Sequence, residues 1–196
     1  MNKTILILLI FASSLTVFGQ TSATKEAQAD KRGYIVKVGD QSPTYKMTLD
    51  DGQEVSLDEH KGKVVMLQFT ASWCGVCRKE MPLIEAEIWQ KLKDNPDFVL
   101  IGVDRDEPLD KVLTFKEQTK VTYPLALDPG ADVFAMFASK KSGVTRNVII
   151  DKNGEIVFLT RLFDREEFDE MKEVIFELLE VEHSTEAIKS PSSNEK

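Results

Sequence analysis

The only two cysteines of this chain, Cys74 and Cys77, are separated by two residues and lie between two contrasting segments. The apolar, β-branched run Val64–Thr70 before them predicts a strand buried on both faces, and the residues after them have helical spacing. The predicted helix therefore begins at the carboxyl end of a central strand, where α/β folds place their chemistry. At this spacing the sulfurs can form a disulfide and open it again, and the free N–H groups of a helix's first turn stabilise a thiolate. The pair predicts a redox couple.

Other uses of two cysteines remain open. A structural zinc site needs four ligands, and His60 and His183 lie far from the pair without paired spacing. A purely structural disulfide would stabilise the fold little, because chain-entropy stabilisation grows with loop length. We expect no metal and no cofactor.

The first residues are typical of a secretory signal peptide. Lys3 precedes the apolar run 5–12, and the segment ends at the small residue Gly19. We predict that residues 1–19 are removed before Gln20 and that the protein is exported to the periplasm or beyond. A retained N-terminal membrane anchor is the alternative. Export to an oxidising compartment usually favours several structural disulfides, and this chain has one cysteine pair in total.

The remaining residues predict one domain. Residues 20–32 are small, polar and charged, so we expect a flexible lead before a domain at 33–182, followed by a disordered tail at 183–196. The formal net charge is −8, with basic and acidic residues interleaved. Because no basic stripe is present, nucleic acid is not an expected partner.

The apolar periodicity predicts most secondary structure elements. An Asp-Gly turn at 50–52 joins two short strands into a β-hairpin. Further strands are expected at 64–70, 98–103, 123–127, 147–150 and 155–159, and helices at 76–93, 108–120, 131–138 and 166–180. Pro82 should kink the first of these helices. This order predicts an α/β fold, in which a central mixed sheet has helices on both faces and an N-terminal β-hairpin extension.

Several segments of the chain match a known family. They are Val38–Asp40, the hairpin, Lys61–Val65, Thr70–Pro82 and Ile149–Gly154. Through them the chain resembles the exported TlpA/ResA-like thioredoxins of the broader redoxin grouping. The resemblance implies a thioredoxin-like fold and thiol-disulfide exchange with protein dithiol or disulfide substrates, more as a reductant than as an oxidant. It also implies a membrane-embedded thiol carrier as electron donor.

The same resemblance assigns roles to residues around the pair. Cys74 would be the nucleophile and Cys77 the resolving cysteine. Glu80 would tune Cys77 or relay its proton, or it is an ordinary first-turn helix acid. Trp73 would shield the sulfur and contact a partner, or it packs in the core.

Two positions depart from the family pattern. Gln68 stands where typical thioredoxins have a buried aspartate, and it cannot take a proton; it could instead satisfy a buried polar neighbour. Thr145 stands where most thioredoxin-fold proteins have a cis-proline opposite the cysteines. We expect Val144 and Thr145 to contact substrate, and we expect the bond before Thr145 to be cis despite a cost of about 3 kcal/mol.

Two alternative functions follow from these departures. Peroxiredoxins also lack that proline and have an arginine near its place, which makes Arg146 of interest, although it could equally be a surface residue. Leu67 and Ala71 replace the proline and hydroxyl residue of the peroxidatic motif. The absence of the proline ring would also allow Cys74 and Cys77 to bridge a metal or iron-sulfur cluster between two chains.

Overall fold

The computed structural model describes residues 32–180. The predicted signal peptide and tail lie outside these residues, as does the predicted lead except for Arg32. Within the described range, no helix has the length and apolar character needed to cross a membrane.

The described residues form seven strands and five α-helices. The strands are β1 (Lys46–Leu49), β2 (Glu54–Ser56), β3 (Val64–Thr70), β4 (Phe98–Arg105), β5 (Leu125–Asp128), β6 (Arg146–Ile150) and β7 (Ile156–Leu159). The helices are α1 (Cys77–Ile84), α2 (Gln90–Leu92), α3 (Leu109–Thr119), α4 (Asp132–Phe137) and α5 (Arg165–Leu178). The other elements are short 3₁₀ turns at Leu57–His60 and Pro129–Ala131 and a π-helical segment at Glu85–Trp89.

The strands form one mixed sheet in the order β2-β1-β5-β4-β3-β6-β7. β3, β4 and β5 run parallel, whereas β1, β6 and β7 each pair antiparallel with their neighbours. This is a thioredoxin-like α/β sheet with flanking helices, as the sequence predicts.

The N-terminal hairpin is confirmed. β1 pairs with β2 through Met47 and Val55, and Gly52 takes the positive φ of 88° that the turn requires. β1 also pairs with β5, so the hairpin extends the main sheet.

β3 is the centre of the core. All seven of its side chains are buried, because β4 and β6 cover its edges and helices cover its faces. Gln68 is the polar residue in the middle of this strand, which places an amide deep in an apolar layer. The strand ends at Thr70, immediately before the cysteine loop.

The helix after the cysteines is interrupted. Pro82 stays inside α1, and residues Glu85–Trp89 then adopt π-helix geometry before α2 begins. Pro82 has no N–H to donate to the preceding turn. The predicted long helix at 76–93 is therefore divided by a π segment that begins three residues after Pro82, and the kink predicted at Pro82 stays a prediction.

Candidate active site

The cysteine pair lies at the carboxyl edge of the sheet, between the end of β3 and the start of α1. Cys74 and Cys77 are joined by a disulfide with a Cα–Cα distance of 5.3 Å. Cys77 is fully buried, and the Cys74 residue is 7% exposed to solvent. Cys74 is therefore the sulfur-bearing residue that a partner can approach more easily.

The start of α1 points at Cys74. The backbone N–H of Cys77 donates a hydrogen bond to Cys74 Sγ at 3.1 Å. This N–H has no partner within the helix, because α1 begins at Cys77. An N–H at a helix N-terminus stabilises negative charge on the sulfur it faces, and so favours the Cys74 thiolate.

The loop before β6 brings Thr145 to the disulfide, as the sequence predicts. Thr145 Oγ1 lies 3.0 Å from Cys74 Sγ and 3.3 Å from Cys77 Sγ. The expected cis bond before Thr145 is wrong: residues 32–180 contain no cis peptide. Without a proline ring the trans form is strongly favoured, and the loop reaches the sulfurs without the cis bond.

The other two predicted substrate contacts differ in exposure. Trp73 is 62% exposed beside Cys74, so the alternative that it packs in the core is wrong. The Val144 side chain is buried. Any contact between Val144 and a substrate would have to use its backbone.

Glu80 is buried on α1, three residues after Cys77 and on the same helical face. Burial raises the pKa of its carboxyl to about 7, and hydrogen bonds from the Asn147 and Gln68 amides partly oppose this. Asn147 Nδ2 donates to Glu80 Oε1 at 2.8 Å. Gln68 Nε2 and Glu80 Oε2 fall outside ordinary hydrogen-bond geometry, so the Asn147 contact is the better defined of the two.

Gln68 belongs to a polar network inside the sheet. The Tyr123 hydroxyl donates to Gln68 Oε1 at 2.7 Å, which confirms that Gln68 satisfies a buried polar neighbour. Gln68 lies directly opposite Asn147 in the β3–β6 register, and Asn147 Nδ2 also donates to Thr160 Oγ1. Asn147 and Tyr123 were not predicted as site residues; the signal that could have indicated Asn147 is an amide directly before the apolar run Val148–Ile150.

A buried acid holds the other side of the cysteine loop. Glu107 accepts hydrogen bonds from Ser72 N at 2.5 Å and from Ser72 Oγ at 2.6 Å. Asp104, at the end of β4, is fully buried, and burial followed by the nearby Glu107 charge raises its pKa to about 8. The Ser72–Glu107 contact joins residues 35 positions apart, so no local pattern could have indicated it.

Arg146 is fully buried, so the surface interpretation is wrong. Its Nη2 donates to Gly143 O and Ser142 Oγ, and its guanidinium lies 4.4 Å from the Tyr34 ring centroid. These contacts hold the loop that carries Thr145.

Among the described residues, no group of three or more histidine, cysteine or acidic side chains is arranged to hold a metal ion.

A buried strand, a disulfide at the start of a helix and a facing loop on a mixed sheet together define a thioredoxin-like thiol-disulfide oxidoreductase. The chain belongs to the Redoxin family, whose model matches residues 37–175.

Individual relatives have the same activity in their names. The chain is 29% identical over 153 residues to thiol-disulfide oxidoreductase ResA of Bacillus cereus, which covers 78% of this chain and 82% of the relative. ResA of Bacillus thuringiensis is 30% identical over 131 residues, covering 64% of this chain and 73% of that protein.

Solved structures also resemble this chain. A candidate protein disulfide isomerase from Bacteroides thetaiotaomicron is 61% identical with a TM-score of 0.74, covering 76% of this chain and 93% of that one. A candidate thiol:disulfide interchange protein DsbE from Chlorobium tepidum is 26% identical with a TM-score of 0.65, covering 74% and 99%.

Proposed function

We propose that this chain is an exported oxidoreductase that reduces disulfides in protein substrates, with Cys74 as nucleophile and Cys77 as resolving cysteine. The observation that carries the proposal is the unequal burial of the pair. Cys74 retains exposure and faces the N-terminus of α1, while Cys77 is inside. A substrate can therefore approach Cys74 more easily than Cys77, which suits Cys74 to the attack and Cys77 to the release.

The cycle consists of two exchanges. The Cys74 thiolate attacks a substrate disulfide, forms a mixed disulfide and releases one substrate thiolate. Cys77 then loses its proton and attacks Cys74 Sγ, which releases the second substrate thiolate and closes the Cys74–Cys77 bond. Two electrons pass to the substrate, and its two thiolates take up two protons. An external dithiol restores the pair, and a membrane-embedded thiol carrier is the donor that we propose.

Glu80 is the proposed acceptor of the Cys77 proton. Its carboxyl is buried one turn along the same helical face, and its pKa of about 7 leaves it partly ionised at neutral pH. Gln68 cannot serve, because an amide does not exchange a proton in this range.

Trp73, Val144 and Thr145 are the proposed substrate contacts. Trp73 immediately precedes Cys74 in the chain and is exposed, and an aromatic surface of this kind suits an apolar side chain of a partner. Leu162 is a second exposed apolar side chain beside the Thr145 loop: it is 48% exposed, and its N–H donates to Thr145 O at 3.1 Å.

The decisive experiment measures exchange by the purified protein with a dithiol donor and insulin as model substrate. The wild type should reduce insulin, Cys74→Ser should be inactive, and Cys77→Ser should accumulate a mixed disulfide. A reductant should have a potential near the about −270 mV of thioredoxin. Reduction of insulin by Cys74→Ser would overturn the assignment, and a potential near about −120 mV would overturn the direction.

Export is tested separately. The N-terminal residue of the protein recovered from cell envelopes should be Gln20. Recovery of an intact N-terminus in the membrane fraction would support the retained anchor instead.

A further inference from the structure

The Thr145 hydroxyl is placed between the two redox sulfurs. It lies 3.0 Å from Cys74 Sγ and 3.3 Å from Cys77 Sγ, and the Thr145 side chain is buried. Within residues 32–180 it has no hydrogen-bond partner other than these sulfurs. A hydroxyl has one proton to donate, so it can donate to one sulfur at a time.

The loop holds this hydroxyl firmly. Leu162 N donates to Thr145 O at 3.1 Å, and Arg161 Nη1 donates to the same carbonyl at 3.4 Å. The next residue, Arg146, pairs with Phe69 of β3, the strand that leads into the cysteine loop. Threonine is also β-branched, which restricts χ1 and so limits the positions that the hydroxyl can take relative to the sulfurs.

We infer that Thr145 is a catalytic residue that donates its O–H hydrogen bond to the Cys74 thiolate in the reduced protein. This inference rests on the proposed dithiol–disulfide cycle. A disulfide sulfur is a weak acceptor, whereas a thiolate carries a full charge, and hydrogen bonds to charged acceptors are about twice as strong as neutral ones. The Thr145 contact therefore strengthens when the disulfide is reduced.

Reduction of the disulfide is a two-electron exchange with an external dithiol. An incoming dithiol supplies two electrons, the Cys74–Cys77 bond breaks, and the donor becomes a disulfide. One of its two protons goes to Cys77 and the other to water, which leaves Cys74 as the thiolate that Thr145 contacts. The hydroxyl thus lowers the pKa of Cys74 and shifts the equilibrium toward the reduced protein.

Other polar and charged groups lie on the elements around the pair. The Cys77 N–H donates to the same sulfur, Glu80 lies on α1 behind the pair, and Arg161 lies at the Thr145 carbonyl. Glu107 contacts the cysteine loop through Ser72. All four remain in a variant that changes only the Thr145 side chain, so such a variant isolates the hydroxyl.

The experiment compares Thr145→Val, which removes the hydroxyl at nearly constant volume, with Thr145→Ser, which keeps it. The pKa of Cys74 is read from the pH dependence of iodoacetamide alkylation of the reduced protein. The equilibrium constant for reduction is read from a glutathione titration. In Thr145→Val the pKa should rise by about one unit, and the thiolate fraction well below that pKa should fall about tenfold. Thr145→Ser should stay within about 0.3 units of wild type, a small fraction of that shift.

Two results would overturn the inference: an unchanged pKa in Thr145→Val, or an equal shift in both variants. Circular dichroism and quantitative disulfide formation establish that each variant folds. If Thr145→Val does not fold, Thr145→Ala replaces it as the variant without the hydroxyl. Insulin reduction by the wild type is measured in parallel. If the wild type does not reduce insulin, the proposed function is refuted. If the wild type cycles normally but the pKa of Cys74 is unchanged in Thr145→Val, only this inference is refuted.

Discussion

Glu80 shows how one buried side chain can connect packing with proton transfer. Its carboxyl lies on the buried face of α1, where burial raises its pKa to about 7 and Asn147 donates one hydrogen bond to it. A general base is most useful when its pKa is near the working pH. The same residue on the helix surface would be fully ionised at pH 7 and too weak a base for this role.

We therefore expect Glu80→Gln to slow insulin reduction by roughly 100-fold at pH 7.5, the lower end of the range for loss of a general base. Glutamine keeps an oxygen for Asn147 but cannot accept a proton. In the wild type the rate should rise through pH 7 as Glu80 ionises, and this step should be absent from the variant. Glu117→Gln, an exposed change on α3, is the control. An unchanged pH profile in Glu80→Gln would exclude the relay.

At the scale of elements, α5 illustrates how local signals define a helix. Asp164 is its N-cap, and its side chain accepts hydrogen bonds from Glu166 N at 3.0 Å and Glu167 N at 3.1 Å. Phe168 and Met171 then place the apolar face of the helix against the sheet. The cap satisfies two N–H groups that have no partner within the helix.

Replacement of this cap should cost stability without affecting exchange. We expect Asp164→Ala to lower the free energy of unfolding by about 1 kcal/mol, and Asp164→Asn to lower it by less, because asparagine also caps well. Urea denaturation of the oxidised protein measures both values. Equal losses in the two variants would show that the cap hydrogen bonds are not the cause.

The elements were predictable because their signals are local. β3 and α5 follow from apolar runs of the appropriate period, and the turn at Gly52 follows from its residue type. The surroundings of the disulfide were less predictable. The trans bond before Thr145 and the Ser72–Glu107 contact depend on how distant segments pack, and no local pattern carries that information.

At the scale of the whole molecule, the fold contains carboxyl groups that oppose its own stability at high pH. Asp104 is fully buried at the end of β4, and both of its side-chain oxygens lack a hydrogen-bond partner within the described residues. Burial and the Glu107 charge raise its pKa to about 8. Glu80, on α1, is the second such group.

The direction of the pH effect follows from proton binding. Between about pH 4 and pH 8 the folded protein holds a proton on Asp104 that the unfolded chain releases, so the free energy of unfolding falls as the pH rises through this window. This loss of stability is complete above the pKa of Asp104 in the folded protein, and it is absent below the pKa of Asp104 in the unfolded chain. Glu80 adds a second loss between about pH 4.5 and pH 7.

Asp104→Asn should flatten this pH dependence, since the amide has no proton to release. Between pH 4 and pH 9 the variant should lose up to about 5 kcal/mol less stability than the wild type, because each unit of the pKa difference contributes about 1.4 kcal/mol. The remaining slope belongs to Glu80 and to Asp128, whose pKa is also raised by burial. Urea denaturation of the oxidised protein at several pH values measures the difference, and Asp94→Asn, at an exposed position, is the control. A wild type whose stability is constant or rises over this range would contradict the placement of an ionisable Asp104 in the core. A slope unchanged in Asp104→Asn would assign the effect to other groups.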